Sequence, residues 1–327
     1  MKLATLAAKD PSSRDGSLIV VSRDLTRAAF VDPAVAPSLI RALENWKQTE
    51  PKLKALYTDL MAGKAQHSFA LNLKDCLAPL PNAPGFYDGS AFLSHVVRAR
   101  RARGDQMPES AKKTPLMYQG VSDNLLPAYG PIELMDVGFG GDIEAEMAVI
   151  TSDIPRGTPA SEMGPYMVLF SLFNDITYRE IVKVEIETKF GFLQSKPNSS
   201  FAPIVVTPDE FGDLWDGKRF LGEITVNLNG KRFGSPSGRE MNFSFGELVA
   251  HANRTRPLAA GNIVGSGTFS NESKDVGFGC LVEKRYQQVI DGEKDLIAWL
   301  QPGDEVEMDA LYQGHSIFGK IKQRVVI

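Results

Sequence analysis

Short apolar runs broken by glycine and proline make up most of the chain from about residue 114 onward. Runs of this kind predict β-strands, because a strand is about four to eight residues long and ends at turn residues. The Asn229-Gly230 pair lies between two such runs and predicts a tight hairpin turn. The strands predicted in this region span residues 144–150, 204–207, 224–228, 263–265, 280–285, 306–311 and 316–326.

Helical spacing of apolar residues is confined to a few segments. Apolar residues recur at this spacing over 39–46 and again over 53–60, which predicts two helices. Pro51 is expected to begin the second of these helices and Gly63 to end it. The other elements predicted are a strand at 18–21 and helices at 159–172 and 245–254.

Strands at irregular spacing with a few helices predict a mainly β fold with some α, a mixed β-sandwich or roll rather than a doubly wound α/β sheet. The glycine cluster at 138–141 leads into a strand, and the cluster at 261–268 lacks the lysine of a phosphate-binding loop. A chain of 327 residues is long enough for about two domains. We expect a small β-rich domain with a helical segment at 1–75 and a larger domain at 76–327.

The composition excludes several classes of function. The chain has 36 Lys+Arg against 40 Asp+Glu, and this acidic balance argues against a dedicated nucleic-acid binder. Cys76 and Cys280 have no cysteine neighbours, which excludes a disulfide framework and a cysteine-based zinc site and favours a reducing cytoplasm. The longest apolar runs fall well short of a membrane-spanning helix, so no membrane association is expected.

Glu144 and Glu146 lie two residues apart in a predicted strand, so both side chains point to the same face. Ala148 and Ile150 continue that face and are apolar. Two neighbouring carboxylates repel each other, and burying them without partners is costly. One interpretation is an exposed strand edge with two solvated acids. The other is a pair of ligands for a hard cation such as Mg²⁺ or Ca²⁺.

Three further charged residues stand in apolar surroundings. Asp175 follows an apolar run directly, with Arg179 four residues later. This pattern indicates either a capped helix end or a carboxylate delivered into a cavity from a buried element. Lys196 lies in a loop that also contains phenylalanines, so it is either solvated or partly buried with an anionic partner.

Taken together, these segments resemble the fumarylacetoacetate hydrolase family over roughly residues 76–327. The separate motifs are weak, but their order and spacing follow the family's pattern. The matching residues are Asp88 with His95 seven positions later, the Glu144–Glu146 pair, Asn174-Asp175 with Arg179, Lys196, Gly267-Thr268, and Glu283.

The resemblance implies a fold, a mixed β-sandwich roll preceded by a small β-barrel-like N-terminal domain with helices. It also implies a cation site for Mg²⁺ or Ca²⁺ and a homodimer. The implied metal ligands are Asp88, Glu144, Glu146 and Asp175.

Catalytic and substrate-binding roles are implied in the same way. His95 would be the general base that activates water, and Glu283 would orient it. Arg179 and Lys196 would offset the excess carboxylate charge and stabilise an oxyanion. The implied substrate contacts are Tyr118, Arg103 and Thr268.

The residues at some positions leave the identity of the substrate undetermined. Ser90 and Val182 replace polar residues that some animal members carry in the substrate pocket. These differences indicate either a different diketo acid or polar contacts supplied from elsewhere. Arg103 ends a basic run at 98–103 that reads either as a solvated helix face or as recognition of an anionic substrate.

The activity that the resemblance implies is metal-dependent hydrolysis of a carbon–carbon bond in a small anionic 1,3-diketo acid. The first candidate reaction converts fumarylacetoacetate to fumarate and acetoacetate, in tyrosine and phenylalanine catabolism. The alternatives are a hydratase, isomerase or decarboxylase of a 2-oxo acid on the same scaffold, and a binding protein that keeps the fold without catalysis.

Overall fold

The computed structural model describes residues 1–8 and 13–327. Its helices are α1 Leu39–Glu44, α2 Trp46–Met61, α3 Leu93–Arg103, α4 Arg179–Thr188, α5 Phe245–Asn253 and α6 Leu281–Ile290. Its strands are β1 Lys2–Leu6, β2 Ser17–Val21, β3 Arg27–Phe30, β4 Phe69–Ala70, β5 Phe86–Gly89, β6 Met117–Gly120, β7 Leu126–Pro127, β8 Ile132–Glu133, β9 Gly141–Asp142, β10 Ala145–Thr151, β11 Met167–Asn174, β12 Thr177–Tyr178, β13 Ser200–Phe201, β14 Ile204–Val206, β15 Thr225–Leu228, β16 Lys231–Gly234, β17 Ile263–Gly265, β18 Glu305–Asp309, β19 Leu311–Tyr312, β20 His315–Ser316 and β21 Ile321–Val326.

A 12-stranded mixed sheet runs through the molecule in the order β4-β3-β2-β1-β14-β11-β10-β17-β5-β6, with β13 and β7 paired at one side. Its central strands are covered on both faces. Met147 and Val149 of β10 lie in one hydrophobic core, whereas Ala148 and Ile150 lie in a second core on the other face. The predicted mainly β class with some α is confirmed.

The N-terminal strands join the large sheet. In the described residues, β1 pairs antiparallel with β14, and β2, β3 and β4 follow outward from it, with α1 and α2 alongside. These strands therefore extend the main sheet and do not close into a barrel of their own. The boundary near residue 75 stays a prediction.

A second sheet of five strands has the order β16-β15-β18-β21-β8. The predicted hairpin is confirmed between β15 and β16, where Asn229 and Gly230 have φ values of +53° and +72°. Two successive positive φ values suit the right-handed twist of the strands on either side. The helix predicted at 245–254 is also confirmed as α5.

Two sequence-based element predictions were wrong. The segment 159–172, expected to be a helix, forms two short 3-10 turns and then most of β11. Every residue of β11 is buried, so its apolar run lacks the alternation that separates a strand from a buried helix. The segment 280–285, expected to be a strand, contains the start of α6 after an extended Cys280.

Two boundaries also differ from the prediction. Asn45 separates α1 from α2, so α2 begins at Trp46 and Pro51 lies inside it. The region 316–326 forms β20 and β21 with a break near Gly319, which has a φ of +74°. In the described residues, no helix is long and apolar enough to cross a membrane.

Candidate active site

Four carboxylates from the ends of three strands meet beside the centre of the large sheet. They are Asp88 in β5, Glu144 just before β10, Glu146 in β10, and Asp175 just after β11. One oxygen of each carboxylate lies within 4.8 Å of the corresponding oxygens of the other three. All four side chains are buried, so the interpretation of Glu144 and Glu146 as solvated edge residues is wrong.

Burial and mutual repulsion govern the charges of this carboxylate cluster. Burial, and then the neighbouring charge of Asp175, raise the pKa of Asp88 to about 8. Burial, followed by the charge of Asp88, raises the pKa of Glu146 well above its usual range. Both Glu146 oxygens are buried and have no hydrogen-bond partner among the described residues. Buried polar atoms without a partner are uncommon and call for an explanation.

Two cationic side chains flank one side of the cluster. The Lys196 ammonium donates to Glu144 Oε2 at 2.9 Å and also to Asp175. The Arg179 guanidinium pairs with Glu144 as well. Burial raises the pKa of Glu144, but the charges of Arg179 and Lys196 outweigh it and hold that pKa below its usual range. The alternative in which Lys196 is buried with an anionic partner therefore holds.

The cluster fits a divalent cation on two grounds. Among the described residues, the ion pairs of the four carboxylates involve two cations, Lys196 and Arg179, so full ionisation leaves a net negative charge. A divalent ion would offset that charge and give the Glu146 oxygens a partner. Carboxylate oxygens are also the ligands that Mg²⁺, Ca²⁺ and Mn²⁺ accept.

His95 and Glu283 come from two helices that pack against each other, α3 and α6. His95 Nδ1 lies 3.8 Å from Glu283 Oε1, which is longer than a hydrogen bond. That nitrogen is buried and has no hydrogen-bond partner among the described residues. Burial raises the pKa of Glu283, but the proximity of His95 and Arg98 holds it below its usual range. The structure thus brings the expected pair together without closing the contact.

Sequence reasoning missed the residue that fixes Glu283. Arg98 belongs to the basic run, but it is buried and its guanidinium pairs with the Glu283 carboxylate. It also donates to the carbonyl oxygens of Asn271 and Glu272 at 2.9 and 3.1 Å. The interpretation of the whole run as a solvated face is therefore wrong at Arg98. The residues next to Arg98 in the sequence do not indicate that its side chain is buried against Glu283.

The three expected substrate contacts lie in different surroundings. Tyr118 donates its hydroxyl to Asp175 Oδ2 at 2.6 Å, and the Lys196 ammonium lies 5.0 Å from its ring centroid. Thr268 is buried beside the glycine whose N–H donates to Asp88. Arg103 is exposed and donates to the Tyr286 hydroxyl at 2.9 Å. The substrate roles of these residues stay predictions.

Known proteins match the whole chain. The profile described as fumarylacetoacetate (FAA) hydrolase C-terminal matches residues 86–326, and the profile described as fumarylacetoacetase N-terminal domain 2 matches residues 1–82. A 2,4-didehydro-3-deoxy-L-rhamnonate hydrolase from a Sphingomonas species is 24% identical over 157 residues, which cover 47% of this chain and 52% of that protein.

Solved structures share the fold. A fumarylacetoacetate hydrolase from Exiguobacterium antarcticum superposes with a TM-score of 0.69 at 18% identity, with 99% of each chain covered. A protein from Mycobacterium abscessus described as a probable 2-hydroxyhepta-2,4-diene-1,7-dioate isomerase gives a TM-score of 0.68 at 18% identity, covering 99% of this chain and 98% of that chain. A maleylpyruvate hydrolase from a Sphingobium species, solved with manganese(II) and pyruvate, gives 0.64 at 16% identity, covering 100% of this chain and 99% of that chain. The C-terminal profile alone spans most of the chain, so this protein belongs to the fumarylacetoacetate hydrolase family.

Proposed function

We propose that the protein is a divalent-metal-dependent hydrolase that cleaves a carbon–carbon bond in a small 1,3-diketo acid. Fumarylacetoacetate is the first candidate substrate. The observation that carries the proposal is that the His95–Glu283 pair adjoins a buried cluster of four carboxylates. Cys280 lies within 4.8 Å of ligand atoms of His95 and Glu283, and its backbone pairs with that of Glu144 in the cluster. The hydrolases among its structural and sequence relatives support the same class of reaction.

A metal ion held by Asp88, Glu144, Glu146 and Asp175 would polarise the diketo oxygens as a Lewis acid. We propose Mg²⁺ or Ca²⁺, and the manganese in the maleylpyruvate hydrolase structure makes Mn²⁺ a further ion to test. Lys196 and Arg179 hold the Glu144 carboxylate from the other side. Their charges fix the ligand before substrate arrives.

Each of the remaining side chains then has a separate role in the reaction. His95 takes a proton from water while the water oxygen attacks one carbonyl carbon of the diketone. The oxyanion that forms is stabilised by nearby cationic donors, for which Lys196 and Arg179 are the candidates. The carbon–carbon bond breaks, the electron pair leaves with the second fragment as an enolate, and His95 returns the proton. Glu283 stabilises the protonated imidazole.

A panel of fumarylacetoacetate and acylpyruvates, assayed with and without chelator, tests this function. We expect cleavage that stops on chelation and returns on addition of Mg²⁺, Ca²⁺ or Mn²⁺. His95→Gln should lower kcat by about 100-fold to 10,000-fold, the range for loss of a general base. His251→Gln, a partly exposed histidine on α5, is the matched control and should stay within about twofold of wild type. Full activity in His95→Gln would exclude His95 as the base.

A second candidate is an isomerase or tautomerase of a 2-oxo acid. The His95–Glu283 pair could equally move a proton at a carbon next to a carbonyl, and that reaction needs no attacking water. The isomerase fold match and a 24% identical oxaloacetate tautomerase from Rattus norvegicus support the same class. Mass spectrometry in D₂O decides between them. Deuterium uptake by an intact substrate, beyond the spontaneous exchange in an enzyme-free control, indicates isomerisation. A gain of one water indicates hydration, loss of CO₂ indicates decarboxylation, and two fragments indicate hydrolysis.

We also propose a cytoplasmic homodimer. The exposed apolar side chains of α4 and the following loop, including Phe190 and Leu193, are a surface that a second copy would cover. Two free, buried cysteines agree with a reducing compartment. Sedimentation that gives the mass of one chain would contradict the dimer.

A further inference from the structure

Asp142, in β9, is a buried carboxylate that lies outside the four-carboxylate cluster. Its Oδ1 accepts hydrogen bonds from the backbone N–H groups of Ile143 and Leu281, both at 2.7 Å. Its Oδ2 accepts from the backbone N–H of Val282 at 3.0 Å and from Arg179 Nε at 2.7 Å. Two carboxylate oxygens have about four acceptor positions, so these four donors use them all.

The hydrogen bonds that Asp142 accepts from Leu281 and Val282 fix the start of α6. The first N–H groups of a helix have no partner within the helix. Cys280 occupies the N-cap position, but its side chain makes no capping hydrogen bond. Asp142 supplies the cap from a different strand by accepting from Leu281 and Val282. The next residue along the helix is Glu283, the partner of His95.

The hydrogen bond that Asp142 accepts from Arg179 fixes the guanidinium next to the carboxylate cluster. Arg179 donates from Nε to Asp142 and from a terminal nitrogen to Glu144. The Asp142 carboxylate is therefore one hydrogen bond from a cluster cation and one residue from the acid behind the base. The four-carboxylate cluster and the His95–Glu283 pair have no other common anchor of this kind among the hydrogen bonds of the described residues.

We propose that Asp142 is a positioning residue that fixes Glu283 and Arg179 relative to each other. His95, the partner of Glu283, then faces a substrate carbonyl held at the carboxylate cluster. This proposal rests on the function proposed above. A residue that only stabilises the fold would lower the free energy of unfolding and leave kcat of the folded enzyme unchanged. A positioning residue changes kcat through its partners. Outer contacts that orient ligands typically cost about 10-fold to 100-fold in activity when they are removed.

Asp142→Asn tests the proposal because asparagine keeps the shape of the side chain but replaces one acceptor oxygen with an NH₂ group. That group cannot accept from the Val282 N–H or from Arg179 Nε. We expect kcat to fall by about 10-fold to 100-fold, with a smaller change in KM. In a Glu283→Gln background the same substitution should lower kcat by less than about threefold, because the effects of substituting residues that act as one unit are not additive. Hydrogen–deuterium exchange should show faster uptake in peptides covering 280–286.

Asp216→Asn is the matched control, because Asp216 also accepts two backbone N–H bonds but lies in an exposed turn. It should change neither kcat nor exchange at 280–286. Asp142→Ser is made in parallel, so that a folding defect in one variant leaves the other to measure. An equal loss of kcat in both Glu283 backgrounds would overturn the positioning role, as would unchanged exchange at 280–286. If the wild-type enzyme cleaved no diketo acid, the proposed function would fail, and the exchange result would still test the anchor.

Discussion

The carboxylate cluster and the His95–Glu283 pair are built on different kinds of support. Glu146 lies in the central strand β10, and Glu144 directly precedes that strand. Asp175 follows the neighbouring strand β11, and Asp88 lies in β5, two strands away on the other side of β10 in the same sheet. His95 lies on α3, whose sole buried side chain is Arg98, and the His95 side chain is 19% exposed. The cluster is thus fixed by a core on both sheet faces, whereas the base is held by one helix on the surface.

This difference also appears in the hydrogen bonds. Glu144 and Asp175 already have cationic partners at contact distance, but His95 Nδ1 stands 3.8 Å from the nearest Glu283 oxygen. Rigid strands can hold repelling carboxylates together, because separating them would disrupt the sheet. A helix on the surface can shift by about an ångström, which is enough to bring His95 Nδ1 within hydrogen-bond distance of Glu283. We infer that the metal side is preorganised and that the base side closes when substrate binds.

The largest effect that this comparison predicts is at Glu146, the acid whose two oxygens have no partner. Glu146→Gln removes a metal ligand and should lower kcat/KM by roughly a thousandfold, equivalent to about 4 kcal/mol of transition-state stabilisation. Without metal, folding at neutral pH has to protonate Glu146, because its pKa is raised well above its usual range by burial and then by Asp88. Glutamine removes that cost, so the metal-free protein should become more stable.

Thermal unfolding in chelator and isothermal titration with Mn²⁺ check this pair of outcomes. Glu305→Gln, on the exposed side of β18, is the matched control. A Glu146→Gln protein that binds Mn²⁺ with wild-type affinity would contradict the assignment of the cluster as a metal site.

A medium effect is expected at Arg98, which fixes the base side only. Arg98→Lys keeps the charge but loses the planar contacts to Glu283 and to two backbone carbonyls. We expect kcat to fall by about 10-fold to 100-fold, with Mn²⁺ affinity unchanged. Arg101→Lys, exposed on the same helix, should have almost no effect. Weakened Mn²⁺ binding in Arg98→Lys would show that the two halves of the site are not separate.

The last effect concerns stability and not activity, and it is a gradual dependence of stability on pH in the metal-free protein. The pKa of Asp88 is raised to about 8 by burial and then by Asp175, from an unfolded value of about 4. Ionisation of such a group destabilises the folded state. The free energy of unfolding should therefore decline as pH rises from about 5 to about 8, and level off above that.

Urea unfolding in chelator across this pH range measures the decline. Bound Mn²⁺ should remove it, because the cation favours the ionised carboxylates. Metal-free stability that rises over the same interval would contradict the buried, repelling cluster.

The four carboxylates could be predicted from the sequence, because their order and spacing follow a family pattern. The structure brings the four residues together, although the apolar run before Asp175 was predicted to be helical and forms most of β11. Their role as metal ligands stays a prediction. The grouping did not depend on the element assignments, because it rested on the order and spacing of the charged residues.

Asp142 and Arg98 could not be predicted, because their partners are far away in the sequence. Arg98 meets Glu283 across 185 positions, and Asp142 meets Leu281 across 139 positions. A basic residue in a basic run looks solvated until the opposing helix is known. The start of α6 was missed for the same reason, since its cap comes from β9 and not from a local serine, threonine or aspartate.

Metal-dependent hydrolysis of the carbon–carbon bond is tested most directly by mass spectrometry of the products that the metal-loaded protein forms from fumarylacetoacetate in H₂¹⁸O. We expect two fragments, with one ¹⁸O in the fumarate carboxylate and none introduced into acetoacetate by the cleavage step, and no cleavage after chelation. Recovery of intact substrate, or cleavage that persists in the presence of chelator and in Glu146→Gln, would contradict it.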